Sequence, residues 1–298
     1  MKQRLSLWWN ASRYRSFTTA VIPVIVGTLL GAEHEFTWWK ALLALVGSVA
    51  ILGGTNFVND YYDYKKGADN ENSLGPRGFI VRGVVPPKAV LTAGLFCFAA
   101  GITIGLILCA TTSWSLLWLG VASVAAGFLY TGAPIHLAYI ALGELTVFFF
   151  MGPVIVLGAY FVQTETWAWE PVVAALPIGF LVTAVLHANN LRDIDNDRAT
   201  GKRTLATLLG RERAQVEMYL LFAGCYISLI VAAVVGALPW PGLIALATAP
   251  LAIPIFKIVA AEGSPKRLNF ALFKTVQLHM RFGGVLAVGL LLNLLVDG

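Results

Sequence analysis

Nine stretches of the chain, at about 17–32, 38–58, 88–110, 113–132, 138–162, 170–190, 214–236, 239–260 and 278–296, are apolar almost throughout. Runs of roughly 18–25 such residues are long enough for a helix to cross a hydrocarbon core of about 30 Å. The pattern predicts an all-α, polytopic membrane bundle of about nine transmembrane helices. Short gaps near 110–113 and 236–239 predict tight hairpins between neighbours. Polar residues fall between the runs, and two of the gaps are far more acidic than the rest.

Composition agrees: 58% of the 298 residues are hydrophobic and 12% are charged, about half the charged share of an ordinary soluble domain. The first apolar run lacks a small-residue cleavage site and more spans follow it, so it reads as a membrane helix rather than a cleaved signal. Cys97, Cys109 and Cys225 each sit alone inside an apolar run and read as small core residues. With the N-terminus in the cytoplasm, nine spans put every Lys and Arg except Lys40 on the inside, as the positive-inside rule requires. The expected setting is therefore the lipid bilayer, a bacterial cytoplasmic (inner) membrane, with the C-terminus outside. The net charge of +5 is then a topology signal and no indication of nucleic acid. Trp38, Trp39, Trp114, Trp167, Trp169 and Trp240 gather near the opposite boundary as an interfacial belt.

Acidic residues at a membrane edge need a reason. One group follows the second run: Asn56, Asn59, Asp60, Asp63 and Asp69, with Asn56, Asp60 and Asp63 at i, i+4, i+7 on one helical face. The other follows the sixth run: Asn190, Asp193 and Asp197 at i, i+3, i+7, with Asp195 pointing elsewhere. A single acid at a helix end is ordinary capping or snorkelling. Two clusters at helix C-termini are different, because the macrodipole disfavours each charge by roughly 0.3–1 kcal/mol and neighbouring carboxylates repel. A bound cation removes both penalties. Carboxylate and amide oxygens without a Cys or His cluster suit Mg²⁺, or Mn²⁺. His187 lies one turn before the second cluster, where a lone histidine is usually a packing or hydrogen-bonding residue.

Mg²⁺ commonly binds one or two carboxylates together with substrate phosphates. Lys65, Lys66, Arg77 and Arg82 follow the first cluster; Arg198, Lys202 and Arg203 follow the second. Cations interleaved with metal-binding acids make a site for a diphosphate. The clusters end spans two and six, an even number apart, so both face the same side. This predicts one domain over 1–298 made of two parallel four-helix halves, about 1–135 and 136–260, with acid faces opposed across a cavity and a ninth helix outside. Gly27/Gly31 and Gly101/Gly105 have the spacing of close helix contacts. A diphosphate site opening into apolar helices suits a polyprenyl diphosphate, ionised against an aromatic nucleophile.

Asn59-Asp60-x-x-Asp63 with Asp69, and Asp193-x-x-x-Asp197 followed by Gly201-Lys202-Arg203-Thr204, resemble the motifs of the UbiA superfamily of intramembrane aromatic prenyltransferases. The stretches Thr55–Gly67, Gly75–Arg77, Tyr130–Tyr139 with Gly143-Glu144, and His187–Arg198 are most similar to the branch that prenylates 1,4-dihydroxy-2-naphthoate. The resemblance implies Mg²⁺-dependent transfer of a polyprenyl group from its diphosphate to that aromatic acid, with loss of the carboxylate, as a step of menaquinone biosynthesis. It implies that Asn59, Asp60, Asp63 and Asp69 form the first metal–diphosphate motif, and Asp193 and Asp197, with Asn190, the second. Asp60, Asp63, Asp193 and Asp197 would carry catalysis. Lys66, Lys202, Arg203 and Arg77 or Arg82 would meet the diphosphate, with Asn56 and Tyr130 also at the substrate. Tyr61, Tyr62, Tyr64, Tyr130 and Tyr139 either face an allylic cation or are interfacial aromatics. Glu144 either polarises the acceptor or caps its helix. Ion-coupled transport competes as a reading, but its acids belong at the midplane rather than one edge. Other aromatic acceptors, such as 4-hydroxybenzoate or homogentisate, stay open.

Overall fold

The computed structural model describes residues 2–70, 79–261 and 264–297, and among them it is helical with no strand beyond one isolated bridge. A short N-terminal helix, α1 (Lys2–Ala11), precedes α2 (Thr18–Ala32), α3 (Trp38–Lys65), α4 (Pro87–Thr111) and α5 (Leu116–Leu129). The second half holds α6 (Gly143–Phe149), α7 (Ile155–Thr164), α8 (Glu170–Ala174), α9 (Leu176–Ala199), α10 (Leu205–Leu209), α11 (Arg211–Val234), α12 (Ile253–Ala260) and α13 (Pro265–Asp297). Eight of the resulting segments are long and apolar enough to span a membrane, and α5 is a shorter ninth. The chain is an integral membrane protein.

The departures from the expected spans have local causes. The fourth span is only 14 residues of helix, about 21 Å at ~1.5 Å per residue, starting at Leu116 and ending at Leu129, before the loop that leads to Tyr139. The fifth span is broken between α6 and α7 by a π-helical turn, Phe150–Val154, where Pro153 has no N–H for the regular ladder. Conversely, α13 begins well before the apolar run at 278. Leu268, Ala271, Thr275, Leu278 and Phe282 are buried at alternating three- and four-residue steps, an amphipathic stripe that hydropathy alone hides.

Helices α3 and α9 carry the acidic motifs. At 28 residues, α3 is about 42 Å long, so the motif continues the membrane helix as further helical turns, with Asn56, Asn59, Asp60 and Asp63 buried. Gly27 faces α7 so closely that a Cβ would meet the Val156 carbonyl, and Gly101 faces Ile51 of α3 in the same way. Gly105 departs from the expected contact: no atom lies near its missing Cβ, because it faces the central cavity. The ninth helix is not an outer layer either. It packs against α2 and α9 and contributes Asn269, Leu272, Phe273 and Val276 to the cavity wall. Cys109 and Cys225 are buried as expected. Trp38, Trp114, Trp167, Trp169 and Trp240 are exposed at helix ends away from the acidic motifs. There, Lys40 pairs with Glu165 at 3.0 Å.

Candidate functional site

A cavity of about 1030 Å³ runs through the bundle. Apolar residues of α3, α4, α5, α7 and α9 line most of it, including Ala44, Leu108, Leu116 and Val162. At the end where the acidic motifs meet, its wall turns polar: Arg13, Asn56, Asn59, Tyr130, Asn190, Arg192 and Lys202. The expected picture had carboxylates facing each other across this space. Instead the amides and cations form the wall, and the acids stand behind them, with Asp60, Asp63 and Asp193 each bound to a wall residue.

Arg13 binds Asp60 through an ion pair. Arg13 sits in the left-handed conformation between α1 and a 3₁₀ turn, Tyr14–Phe17. Asn56 holds that turn by donating its amide hydrogens to the Ser12 carbonyl and the Ser16 hydroxyl, both at 3.0 Å. With its amide turned to suit its neighbours, Asn59 accepts from Arg13 and donates to Asp63 Oδ2, each at 3.1 Å. Asp63 is fully buried. Tyr139 donates to its Oδ1 at 2.7 Å, and Lys202 reaches its Oδ2 at 3.5 Å. The loop after α9 thereby touches the first motif directly.

The two loops are also tied by backbone. Ala141 N–H donates to the Arg203 carbonyl at 2.8 Å, beside the bridge between Ile140 and Arg203. Lys202 N–H donates to the Asp197 carbonyl at 2.8 Å. Asn196 donates to the Ala68 carbonyl at 3.0 Å and accepts from Asn70 at 2.9 Å. Lys66 and Lys202 lie over the Tyr139 ring, 4.2 and 5.1 Å from its centre, within cation–π range. Burial first, then the Asp63 carboxylate beside it, push the Tyr139 phenol far above its ordinary pKa, so it remains a donor at any neutral pH. Burial also lowers the Lys66 ammonium, with Asp63 opposing and Lys202 reinforcing the shift.

On α9, Asp193 is gripped by the adjacent Arg192 through Nε at 2.7 Å and Nη2 at 2.5 Å. The same guanidinium reaches Asn269 of α13 at 2.8 Å and Asn189 at 2.9 Å. Asn190 donates to Glu144 at 2.8 Å. Asp195 points away, as its spacing predicts, to an exposed pair with Arg211 at 3.0 Å. Asp60 and Asp69 converge on a small hollow beneath Phe79 and Ile80.

Most of the sequence candidates therefore gather here: Asn56, Asn59, Asp60, Asp63, Lys66, Asp69, Tyr130, Asn190, Asp193, Asp197 and Lys202. Arg82 is exposed, lies over Phe79 at 5.8 Å and is not in the cavity wall. The Arg203 side chain is exposed, with its backbone doing the tying. Arg77 lies outside the described residues. Arg13 and Arg192 entered the sequence reading only as topology charges: nothing local links Arg13 to an acid 47 positions later, whereas Arg192 stands beside Asp193 in the sequence.

The fold and the residues together have known counterparts. A model of the UbiA prenyltransferase family matches residues 20–278. The chain is 34% identical to the 1,4-dihydroxy-2-naphthoate octaprenyltransferase of Bacillus subtilis (strain 168), over 96% of this chain and 92% of that one. It is 31% identical to the protein of the same name from Escherichia coli (strain K12), over 92% and 91%. Among solved structures, the apo structure of a UbiA homolog from Aeropyrum pernix K1 matches with a TM-score of 0.71 at 19% identity, over 91% of this chain and 97% of that one. A UbiA homolog from Archaeoglobus fulgidus bound to DMAPP and Mg2+ matches with a TM-score of 0.61 at 14% identity, over 94% and 99%; at such identities these two speak for the fold. By the family match and these relatives, the chain belongs to the UbiA prenyltransferase family and is a transferase.

Proposed function

We propose that this protein transfers a polyprenyl group from a polyprenyl diphosphate to 1,4-dihydroxy-2-naphthoate, with loss of the acceptor carboxylate, as a step of menaquinone biosynthesis. The observation that carries this reading is the division of one cavity into a long apolar chamber and a cationic, amide-lined end. A hydrocarbon tail suits the first part and a diphosphate the second. The naphthoate acceptor is supported by the names of the bacterial relatives that align over nearly the whole chain.

The residues present fit a divalent cation. Asn59, Asp60, Asp63 and Asp69 on one side, and Asn190, Asp193 and Asp197 on the other, offer only hard oxygen ligands. Among the described residues, no three acidic, His or Cys side chains form a ready-made cage. This suits Mg²⁺, or Mn²⁺, held by one or two carboxylates with substrate phosphates completing the shell. Those seven residues are the proposed ligand pool, and the metal supplies charge to the departing diphosphate. The protein's own cations do the rest. Arg13, Lys202 and Arg192 now neutralise Asp60, Asp63 and Asp193. With those acids holding a divalent cation, Arg13, Lys202 and Arg192 would be available to phosphate oxygens; paired as they are, the acids leave the site without a strong net charge. Lys66 lies close enough to join them.

The apolar chamber excludes water from the allylic carbon and leaves the aromatic acceptor as the available nucleophile. The two motifs would descend from pseudo-repeat halves, about 1–135 and 136–260. The same reading puts the site and N-terminus on the cytoplasmic face of a bacterial inner membrane and the C-terminus outside, because among the described residues Lys40 is the one basic residue at the other end. The test is prenyl transfer by the purified protein with Mg²⁺, labelled polyprenyl diphosphate and a panel of aromatic acids. A prenylated, decarboxylated naphthoate is expected. Product with 4-hydroxybenzoate or homogentisate alone would overturn the acceptor, and no product with any acid would overturn the reaction.

A further inference from the structure

Behind Asn190 lies a buried cluster that the prenyl-transfer reading leaves unused. Glu144 opens α6, is 4% exposed and does not itself line the cavity. Its Oε1 accepts from Asn190 Nδ2 at 2.8 Å and lies 3.7 Å from Nδ1 of His187. His187 is fully buried on α9. Its Nε2 sits 2.7 Å from the Ala214 carbonyl, which only accepts, so this nitrogen carries a hydrogen. Its Nδ1 also lies 3.4 Å from Glu217 Oε2 on α11. Three helices are joined at this point, with Asn190 as the only member in the cavity wall.

The chemistry of that contact is directional. An amide can present either its oxygen or its NH₂ to a site, and the two ends suit opposite ligands. A carboxylate oxygen accepts and never donates, so Asn190 must turn its NH₂ to Glu144 and its carbonyl oxygen the other way. A carbonyl oxygen suits a metal cation or an acceptor hydroxyl and repels phosphate oxygens.

We infer that Glu144 is a positioning residue that sets the polarity of Asn190, presenting the Asn190 carbonyl oxygen to the cavity as a cation ligand, and that His187, with Glu217 on its other side, holds Glu144 in place. This rests on the metal–diphosphate reading and sharpens it: Asn190 serves the metal rather than donating to diphosphate. Outer partners that orient a ligand are worth roughly 10- to 100-fold in metal affinity or activity.

The experiment uses the full-length purified protein and follows its melting temperature as Mg²⁺ is added with inorganic pyrophosphate, alongside prenyl transfer. Glu144→Gln lets the Asn190 amide invert, and the Mg²⁺ needed for half-maximal stabilisation should rise roughly 10- to 100-fold, with the same shift in Mg²⁺ activation. Adding Asn190→Asp to Glu144→Gln swaps the polarity of the pair: the Gln amide donates to one Asp oxygen and leaves the other facing the cavity. That double variant should recover most of the loss, whereas Asn190→Asp alone, with two carboxylates meeting, should not. A merely structural role would lower the ligand-free melting temperature without moving the Mg²⁺ requirement, and the swap would not restore it. An unchanged Mg²⁺ requirement in Glu144→Gln, or a double variant no better than the single, overturns the inference. Wild-type protein that Mg²⁺ and pyrophosphate fail to stabilise would overturn the diphosphate reading along with it.

Discussion

The acidic ends of α3 and α9 look alike as sequence and are built in opposite ways. On α3, each carboxylate is neutralised from far along the chain: Asp60 by Arg13, and Asp63 by Lys202, 139 positions away, with a hydrogen bond from Tyr139, 76 positions away. On α9, Asp193 takes its cation from the adjacent Arg192. That same guanidinium then runs on to Asn269, tying the motif to α13. The first motif therefore exists as a charge-balanced unit only when the bundle is assembled, whereas the second brings its own counter-charge. Removing a partner should follow that division. Lesions at the α3 end should disconnect loops from one another, and lesions at Arg192 should loosen one helix pair.

The largest expected effect is at Asp63, the fully buried acid where both loops meet. Asp63→Asn keeps the shape and removes the charge. Turnover in the labelled prenyl assay should fall about 10²- to 10³-fold, corresponding to ~3–4 kcal/mol of lost electrostatic stabilisation. Activity within a few-fold of wild type would show that the α3 end is structural. Next comes Lys202→Met, which removes a charge-assisted contact worth about 1.5–3 kcal/mol. The expected result is a rise in KM for the prenyl diphosphate of roughly 10- to 100-fold, read from initial rates at saturating acceptor.

Arg13→Ala and Arg192→Ala sharpen the contrast. Both remove a guanidinium from the cavity wall, but only Arg192 also binds α13. Arg192→Ala should therefore lower the melting temperature of the ligand-free protein further than Arg13→Ala, by about 2–4 °C for each kcal/mol lost. Equal shifts would mean that the α9 motif is no more tied to the fold than the α3 motif. The smallest effect is Tyr139→Phe, which deletes one hydrogen bond to Asp63 and leaves the ring under Lys66 and Lys202. Loss of a hydrogen bond to a charged group costs about 1.5–3 kcal/mol at most, so turnover should drop roughly tenfold. Tyr139→Phe should leave the shape of the pH profile through the neutral range the same as in wild type, since a phenol held this far above its usual value does not titrate there. A limb near neutrality that wild type shows and Tyr139→Phe loses would show that Tyr139 ionises.

The sequence reading reached the membrane class, the nine apolar runs and both acidic motifs. Those features are local or periodic, and hydropathy, helical spacing and like-charge repulsion act over a few residues. It missed the early start of α13, because a half-buried helix carries Lys266, Arg267 and Lys274 on its outer face and dilutes the hydropathy signal. It placed the carboxylates in the cavity wall, where the structure puts Arg13, Arg192, Lys202 and the amides of Asn59 and Asn190. Spacing shows which residues share a helical face but not which neighbouring helix that face will meet. Asp60 and Asp63 illustrate this: three positions apart, they find partners before and far after them in the chain, at Arg13 and at Tyr139 and Lys202.

Glu144 shows the same limit from the other side. Its place at the start of a helix permitted both capping and acceptor polarisation, and neither reading involved Asn190. Only the packing of α6 against α9 brings the two together, and a carboxylate beside an amide then decides which end of the amide faces the ligand. What the sequence determined by itself was the solvent of this protein, its repertoire of helices and the identity of its charged residues, because each follows from short-range chemistry. The tertiary structure decided which charge neutralises which, and which atoms of those residues face the substrate. Pairing across 47 or 139 positions is a property of helix packing, and no local pattern carries it.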